Sequence, residues 1–331
     1  MIILGIETSC DDTSVALITE NEILANCIST QVIHKEFGGV VPELASREHL
    51  KLIQHIVDSA LKEANIKLSQ IDYYSATYGP GLVGALLVGL NYAKGISVAT
   101  GKPYIGINHM EGHIASNYLE NPDWEPPFIT LLCSGGHTQL VHVRDWTDFK
   151  ILGSTRDDAI GEAFDKTAKL LGLPYPGGPH IDQLSKKGNP NAVDFPTPFI
   201  QNTHLDFSYS GLKTAVLTYI NRNPNYNKAD VAASFQRAAI DALIVKLKRA
   251  SAQLNLNRVA IAGGVSANSH LRKSLEEMKA EGYEINMPRL SLCTDNAAMI
   301  AKAAEIRIRR GERSDLNLNA KAVLSLESVH E

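Results

Sequence analysis

Cysteine is scarce in this chain: Cys10, Cys27, Cys133 and Cys293 lie far apart with no CxxC spacing. That argues against a disulfide framework and a cysteine-type zinc site, and it fits reduced thiols in a core or beside a site better. Long apolar runs are lacking too. The longest, Leu82 to Leu90, falls well short of the roughly 20 residues a bilayer demands and leads into Asn91 and Lys94. The opening Met1-Ile2-Ile3-Leu4 has no basic stretch of the secretory kind and passes straight to Glu7, Asp11 and Asp12. A cytoplasmic protein with no membrane association is the expectation. No aromatic motif of the RRM kind is present, so any RNA contact should rest on shape and phosphates. Positive charge is thin at one end: residues 1 to 126 carry 7 Lys+Arg against 15 Asp+Glu, while 127 to 331 carry 25 against 21. Arg307, Arg309, Arg310 and Arg313 crowd the end of the last helix, which permits an RNA contact. A solvated helix end that favours cations explains them better.

What is present points to a duplicated α/β protein. At 331 residues the chain is long for one core, and two domains are expected. The segment "IILGIETSCDDTSVALI" is an apolar run, a small polar turn and a second alternating run, the pattern of a β-hairpin. A second hairpin pattern, "FITLLCSGGHTQLVHV", begins at residue 128, with Ser134-Gly135-Gly136-His137-Thr138 at its tip. Each is followed by strands and helices, which places domains at 1–125 and 126–331 with a boundary at "ENPDWEPP". Residues 157–227 break the rhythm with one helix, "DDAIGEAFDKTAKLLGL", and then a loop-rich stretch that includes "PYPGGPHID", an insertion beside the site. Amphipathic core helices are expected from about Ala229 to Leu254 and from Thr294 to Arg310. In "NRVAIAGGVSANSHLRKSL" a strand meets Gly263-Gly264 and a helix starts near Ser266, Asn268 or Ser269, a geometry that suits anions.

The stretch "HMEGH", residues 109 to 113, raises metal chemistry. Each helical residue turns the side chain by about 100°, so His109 and His113 project from nearly the same face and can share one ion. Glu111 lies roughly 200° from His109 and points away. A zinc peptidase needs its glutamate directly after the first histidine, where Met110 stands, or directly before the second, where Gly112 stands. Both templates fail. Two polar helix positions would also account for the pair.

Hairpin tips on a duplicated α/β core, with a Gly-Gly turn in the second half, resemble the actin, sugar-kinase and heat-shock ATPase architecture. In that two-domain fold both tips hold nucleotide phosphates in an interdomain cleft. Particular words narrow this: "ETSCDDT" at 7 to 13, "GGVVPELASREH" at 38 to 49, "GPGLVGALLVG" at 79 to 89, "NHMEGH" at 108 to 113, "SGGHT" at 134 to 138, "GEAFDK" at 161 to 166, "YPGGPHID" at 175 to 182 and "AGGVSAN" at 262 to 268. Together they resemble the bacterial type of the tRNA N6-adenosine threonylcarbamoyltransferase (TsaD) family, once catalogued as an O-sialoglycoprotein endopeptidase. The likeness covers nearly the whole chain.

The resemblance implies transfer of a threonylcarbamoyl group from threonylcarbamoyl-adenylate to N6 of the adenosine 3′ of the anticodon, in tRNAs reading codons that begin with A. It implies one divalent metal, iron with zinc or magnesium as alternatives, on His109, His113 and Asp295. By itself Asp295 reads as a capping or dipole-pairing carboxylate. The substrate positions it implies are Leu132, Cys133, Ser134, Gly135, Gly136, Asp165, Gly178, Asp182 and Asn268. Asp11 is the expected general base, with Asp12 its rival, since neighbours on a hairpin tip point oppositely. The implied partners are tRNA, a smaller actin-fold paralogue docking on the acidic first domain, and a small P-loop ATPase. A sugar kinase or plain ATPase would share the fold but leave the metal set unexplained; a metallopeptidase would explain only the histidines.

Overall fold

The computed structural model describes residues 1–20, 22–197 and 203–327. Ile3–Glu7 (β1) is buried throughout, and Asp12–Ile18 (β2) returns antiparallel to it, with Ile3 opposite Ile18 and Glu7 opposite Ser14. A strand with no residue left to solvent is covered on both faces, so β1 belongs mid-sheet. Ile23–Thr30 (β3) extends the hairpin on one side. Tyr73–Gly79 (β4) and Tyr104–Asn108 (β5) add parallel strands on the other, giving the order β3-β2-β1-β4-β5. The intervening helices are Pro42–Ala64 (α1) and Val83–Thr100 (α2), and the short His109–Ala115 (α3) follows β5. Proline at its first turn opens α1, where no N–H is needed, and Asn65 in the left-handed region (φ 53°) closes it. By length and composition α2 is able to cross a membrane. Here its Ala85, Leu86, Gly89, Leu90 and Ala93 are buried, and the Thr8 hydroxyl donates to the Ala85 carbonyl at 2.9 Å.

The second half repeats the plan. Phe128–Cys133 (β6), Thr138–Asp145 (β7) and Asp148–Ser154 (β8) form an antiparallel run, and Arg258–Ala262 (β9) and Glu284–Asn286 (β10) lie parallel on the far side of β6. The order β10-β9-β6-β7-β8 is the first sheet's order read from the other edge, the mark of a duplicated unit. Lys228–Leu254 is a long core helix, as the apolar periodicity demands. The 157–227 region differs from expectation. Among its described residues it holds three helices rather than one: Ile160–Leu170 (α4), Gly177–Ser185 (α5) and Ser210–Arg222 (α6), ahead of Lys228–Leu254 (α7) and Ser269–Ala280 (α8). The glycines of "PYPGGPHID" suggest a loop, yet Gly177 is a packing glycine. A Cβ there would meet the Ala168 Cβ at 2.3 Å, so its absence is what lets α5 lie on α4.

Met1–Trp124 together with Thr294–Glu331 forms one compact unit, and Glu125–Cys293 forms the other. The assignment of all of 126–331 to a second domain is therefore corrected, because the chain returns to the first sheet. The returning helix, Ala297–Arg309 (α9), packs on β1, β2 and α3. Small residues make this possible: a Cβ on Gly5 would meet the Ala297 carbonyl oxygen at 2.5 Å and the Ala301 Cβ at 2.9 Å. The helix begins three residues later than Thr294, capped by Asn296, whose Oδ1 accepts from the Met299 N–H at 3.1 Å. Its arginines are not a free cationic tip. Arg307 is buried against Glu111 and Glu312, and Arg309 pairs with Glu305 and Glu20. Beyond α9 the chain runs back along the sheet, where the Lys321 N–H donates to the Tyr78 carbonyl at 2.8 Å and the Asn108 amide to the Ser325 carbonyl at 3.2 Å.

Candidate metal centre

Strand β5 ends at Asn108, whose side chain accepts from the Met110 N–H at 2.8 Å and so starts α3 at His109. One turn later comes His113, and the two rings meet edge to face with centroids 4.6 Å apart. Asp295, one residue before the cap of α9, brings its Oδ1 to 3.5 Å from His109 Nε2 and 3.2 Å from His113 Nε2. The three ligand atoms lie within 4.8 Å of one another. Two ligands bonded at about 2.1 Å with tetrahedral angles would stand roughly 3.4 Å apart, so the spacing fits a divalent ion. The donor chemistry fits as well, since His113 is fully buried and, among the described residues, its Nε2, the nitrogen that faces Asp295, makes no hydrogen bond. Asp295 is therefore not the capping carboxylate that its position at a helix start suggests; Asn296 takes that role.

The electrostatics tie these groups together. Burial opposes charge on His109, but Glu7 and Asp295 outweigh it and hold the imidazole well above its ordinary value. Burial likewise pushes Asp295 up, and the two histidines reverse that, holding it far below the usual carboxylate range. Glu111 takes no part. It is buried on the other face of α3, where its Oε1 accepts from Arg307 Nε at 2.7 Å. Burial raises its carboxyl to about 7, and Arg307 offsets part of the rise.

Sequence reasoning missed Glu7 and Ser9. Glu7, fully buried at the end of β1, has its Oε2 at 3.0 Å from His109 Nδ1, and the Ser9 hydroxyl stands 3.2 Å from the same nitrogen. A carboxylate closing an otherwise apolar buried strand was the available signal, because such a group needs a partner. Asp11, the expected base, is half-buried in the hairpin turn. Asp12 opens β2 with its Oδ1 buried and, among the described residues, unpartnered, and burial pushes its carboxyl up to about 7 against a hydrogen bond from Thr30. Burial also raises the Cys10 thiol, which keeps it protonated and unreactive.

The remaining expected residues gather in the Glu125–Cys293 unit. At the tip of the β6–β7 hairpin the Ser134 N–H donates to the His137 carbonyl at 2.8 Å, and a side chain on Gly135 or Gly136 would meet nothing within 4 Å. Leu132 and Cys133 have buried side chains, so they offer backbone only. Gly263 (φ +86°) lies against the same tip, and a Cβ there would meet the Cys133 carbonyl at 2.4 Å. Three expected ligand residues already hold the frame. Asp165 accepts from the Gly177 N–H at 2.6 Å, opening α5. Asp182 accepts from the Ser269 hydroxyl at 2.7 Å. Asn268 caps α8 by accepting from the His270 and Leu271 N–H groups, each at 3.0 Å, and donates to Gln236 at 2.8 Å. Gly178 is half-buried with open space where a side chain would project.

Among solved structures the chain is similar to T. kodakarensis HypF (TM-score 0.64, 14% identity, 94% of this chain and 48% of that one). It is similar also to component A of the Acidaminococcus fermentans (R)-2-hydroxyglutaryl-CoA dehydratase (TM-score 0.57, 17% identity, 93% and 99%). Those likenesses concern the fold, the duplicated actin-like α/β architecture. Sequence comparison is more specific. Proteins of Clostridium botulinum and Clostridium beijerinckii named tRNA N6-adenosine threonylcarbamoyltransferase are each 52% identical over 98% of this chain, covering 97% and 98% of their own lengths. The model of that family matches residues 22–302, and with this match and those relatives the chain belongs to the TsaD family, described as tRNA N6-adenosine threonylcarbamoyltransferase.

Proposed function

We propose that this protein transfers the threonylcarbamoyl group of threonylcarbamoyl-adenylate to N6 of the adenosine 3′ of the anticodon in tRNAs that read codons beginning with A. The observation that carries the proposal is the His109, His113 and Asp295 cluster in a TsaD-family chain, with Glu111 turned away onto Arg307. A metal-ligand set without a peptidase base suits a transferase. In the reaction the N6 lone pair attacks the carbamoyl carbon, the new C–N bond forms, the bond from that carbon to the phosphate oxygen breaks, AMP leaves, and N6 gives up one proton.

His109, His113 and Asp295 would hold a divalent ion, iron in this proposal with zinc or magnesium able to stand in, and when bound it supplies Lewis-acid polarisation of the donor carbonyl. The N–H groups of Gly135 and Gly136 receive the donor's phosphate, and close approach is open because no side chain stands there. Asp165, Gly178, Asp182 and Asn268 orient the adenylate. Asp11 accepts the N6 proton. A second assignment, Asp12, is favoured by one observation: burial brings its carboxyl to about 7, near the pH at which a base works best.

The proposed partners are tRNA, a smaller actin-fold paralogue and a small P-loop ATPase. The paralogue would dock on the acidic first unit, at an apolar groove between α1 and α2 lined by Leu50, Ile53, Leu87, Val88 and Tyr92. Leu50 is 71% exposed there, which a docked apolar surface would relieve. A cytoplasmic setting agrees with four cysteines that are all free thiols.

The test is nucleoside mass analysis of unmodified tRNA after incubation with the protein, its partners, metal and threonylcarbamoyl-adenylate, beside a His109→Ala control. A threonylcarbamoyl increment on adenosine that vanishes in the control is the expected result. No increment with active partners would return the chain to a nucleotide-binding enzyme with another acceptor.

A further inference from the structure

The metal cluster has a neighbour that no ligand role requires. Glu7 lies fully buried at the end of β1, and its two oxygens accept from three donors: the Ser9 N–H on Oε1 at 2.5 Å, and the Thr77 hydroxyl at 2.5 Å and His109 Nδ1 at 3.0 Å on Oε2. The first two come from the tip of the β1–β2 hairpin and from the adjacent strand β4, so the carboxylate is clamped from both sides before the histidine reaches it. A neutral imidazole carries one N–H, and whichever nitrogen holds it cannot bind a metal. The partner of Nδ1 therefore decides what Nε2 can do.

We propose that Glu7 is the positioning residue of the metal centre: by accepting the Nδ1–H of His109 it fixes the ring and its tautomer, and presents a bare Nε2 beside Asp295 and His113. The inference rests on the metal-dependent reading given above. Outer carboxylates of this kind orient histidine ligands and raise their basicity, and losing one lowers metal affinity by about 10- to 100-fold.

The substitution Glu7→Gln tests this with little change of shape. An amide keeps one acceptor oxygen for three donors and makes the other position a donor. Either that donor faces the Ser9 N–H, or His109 must offer a bare Nδ1, which moves its proton to Nε2. Zn2+ affinity is measured on the full chain by chelator competition, with thermal unfolding recorded in parallel. The comparison variants are His109→Ala and Ile6→Ala, the latter emptying core space in the same strand without touching the hydrogen bonds of Glu7.

Glu7→Gln should weaken Zn2+ binding by about 10- to 100-fold, whereas Ile6→Ala should lower the unfolding temperature and leave the affinity unchanged. Equal affinity in Glu7→Gln and the parent, or an equal loss in Ile6→Ala, would overturn the assignment. A parent that binds no Zn2+, or binds as well as His109→Ala, would instead remove the metal reading, and this inference with it. Should Glu7→Gln fail to fold, nitrogen NMR of the Zn2+-loaded parent decides: a protonated Nδ1 with zinc on Nε2 of His109 supports the assignment, and an unprotonated or zinc-bound Nδ1 sinks it.

Discussion

His113 and Asp295 meet at 3.2 Å, nitrogen to carboxylate oxygen, although the whole of the Glu125–Cys293 unit separates them in the chain. His113 is fully buried and, among the described residues, has no other side-chain partner for its Nε2. The pair makes sense as two ligands waiting on one charge. Replacing His113 by Ala should reduce divalent-metal affinity by at least about 100-fold and abolish transfer. The apo protein should stay folded, because the substitution removes a buried imidazole whose nitrogens are poorly satisfied. Conversely, metal at about 100 times its Kd should stabilise the parent by about 2.7 kcal/mol and the variant not at all; equal shifts in denaturant midpoint would refute the assignment.

Glu111 supplies a pH signature independent of the metal. Its ordinary value is 4.5 and its folded value about 7, so the folded chain binds the proton more tightly than the unfolded one. The contribution to stability is complete below pH 4.5 and is lost as pH rises through 7. Relative to Glu111→Gln, the parent should lose on the order of 3 kcal/mol between those limits. Urea midpoints across that range measure it, and parallel curves would exclude it.

Arg307 tests the same buried pair from the other side. In Arg307→Met the carboxylate of Glu111 is left buried without its cation, a loss of roughly 3–5 kcal/mol above pH 7. At pH 5 the carboxyl is protonated and the loss should shrink. A pH-independent loss would mean that Arg307 acts through packing alone.

Much of this architecture is legible in local pattern. Alternating apolar residues on either side of a small polar turn mark both hairpins, and the four-residue spacing of His109 and His113 puts them on one face while turning Glu111 away, as its contact with Arg307 bears out. What is not legible depends on groups far apart in the chain. Nothing near residue 295 announces that α9 lies on β1; the cause is paired, Gly5 on one side and Ala297 and Ala301 on the other. Glu7 looks like the end of a strand until His109 is beside it. Helix α5 was hidden because its glycine serves packing rather than a turn.

The two candidate bases separate by kinetics. If Asp11 takes the proton, Asp11→Asn should reduce single-turnover transfer by about 100-fold or more, with Asp12→Asn changing mainly stability. If Asp12 is the base, its replacement should carry the loss and erase a rate inflection near pH 7. Unchanged transfer in both would remove the hairpin tip from proton transfer altogether.

The α1–α2 groove answers to one charge. Leu50→Glu places a carboxylate on an apolar surface at an already acidic unit; if the proposed smaller paralogue docks there, the substitution should abolish that association while leaving the monomer's unfolding free energy within about 0.5 kcal/mol. Size-exclusion chromatography of the mixture reads the first, urea unfolding the second. Retained association would move the interface elsewhere.

The return of residues 294–309 to the first sheet bears on how the protein is made. A ribosome delivers His109 and His113 early, but their carboxylate partner, and the helix that covers β1, emerge only after the entire second unit has been translated. Until then the first sheet lacks part of its core, and the histidines lack Asp295. A metal held by His109, His113 and Asp295 would therefore require a chain translated at least as far as residue 295: one cut short before it presents a hairpin and two histidines without their carboxylate partner.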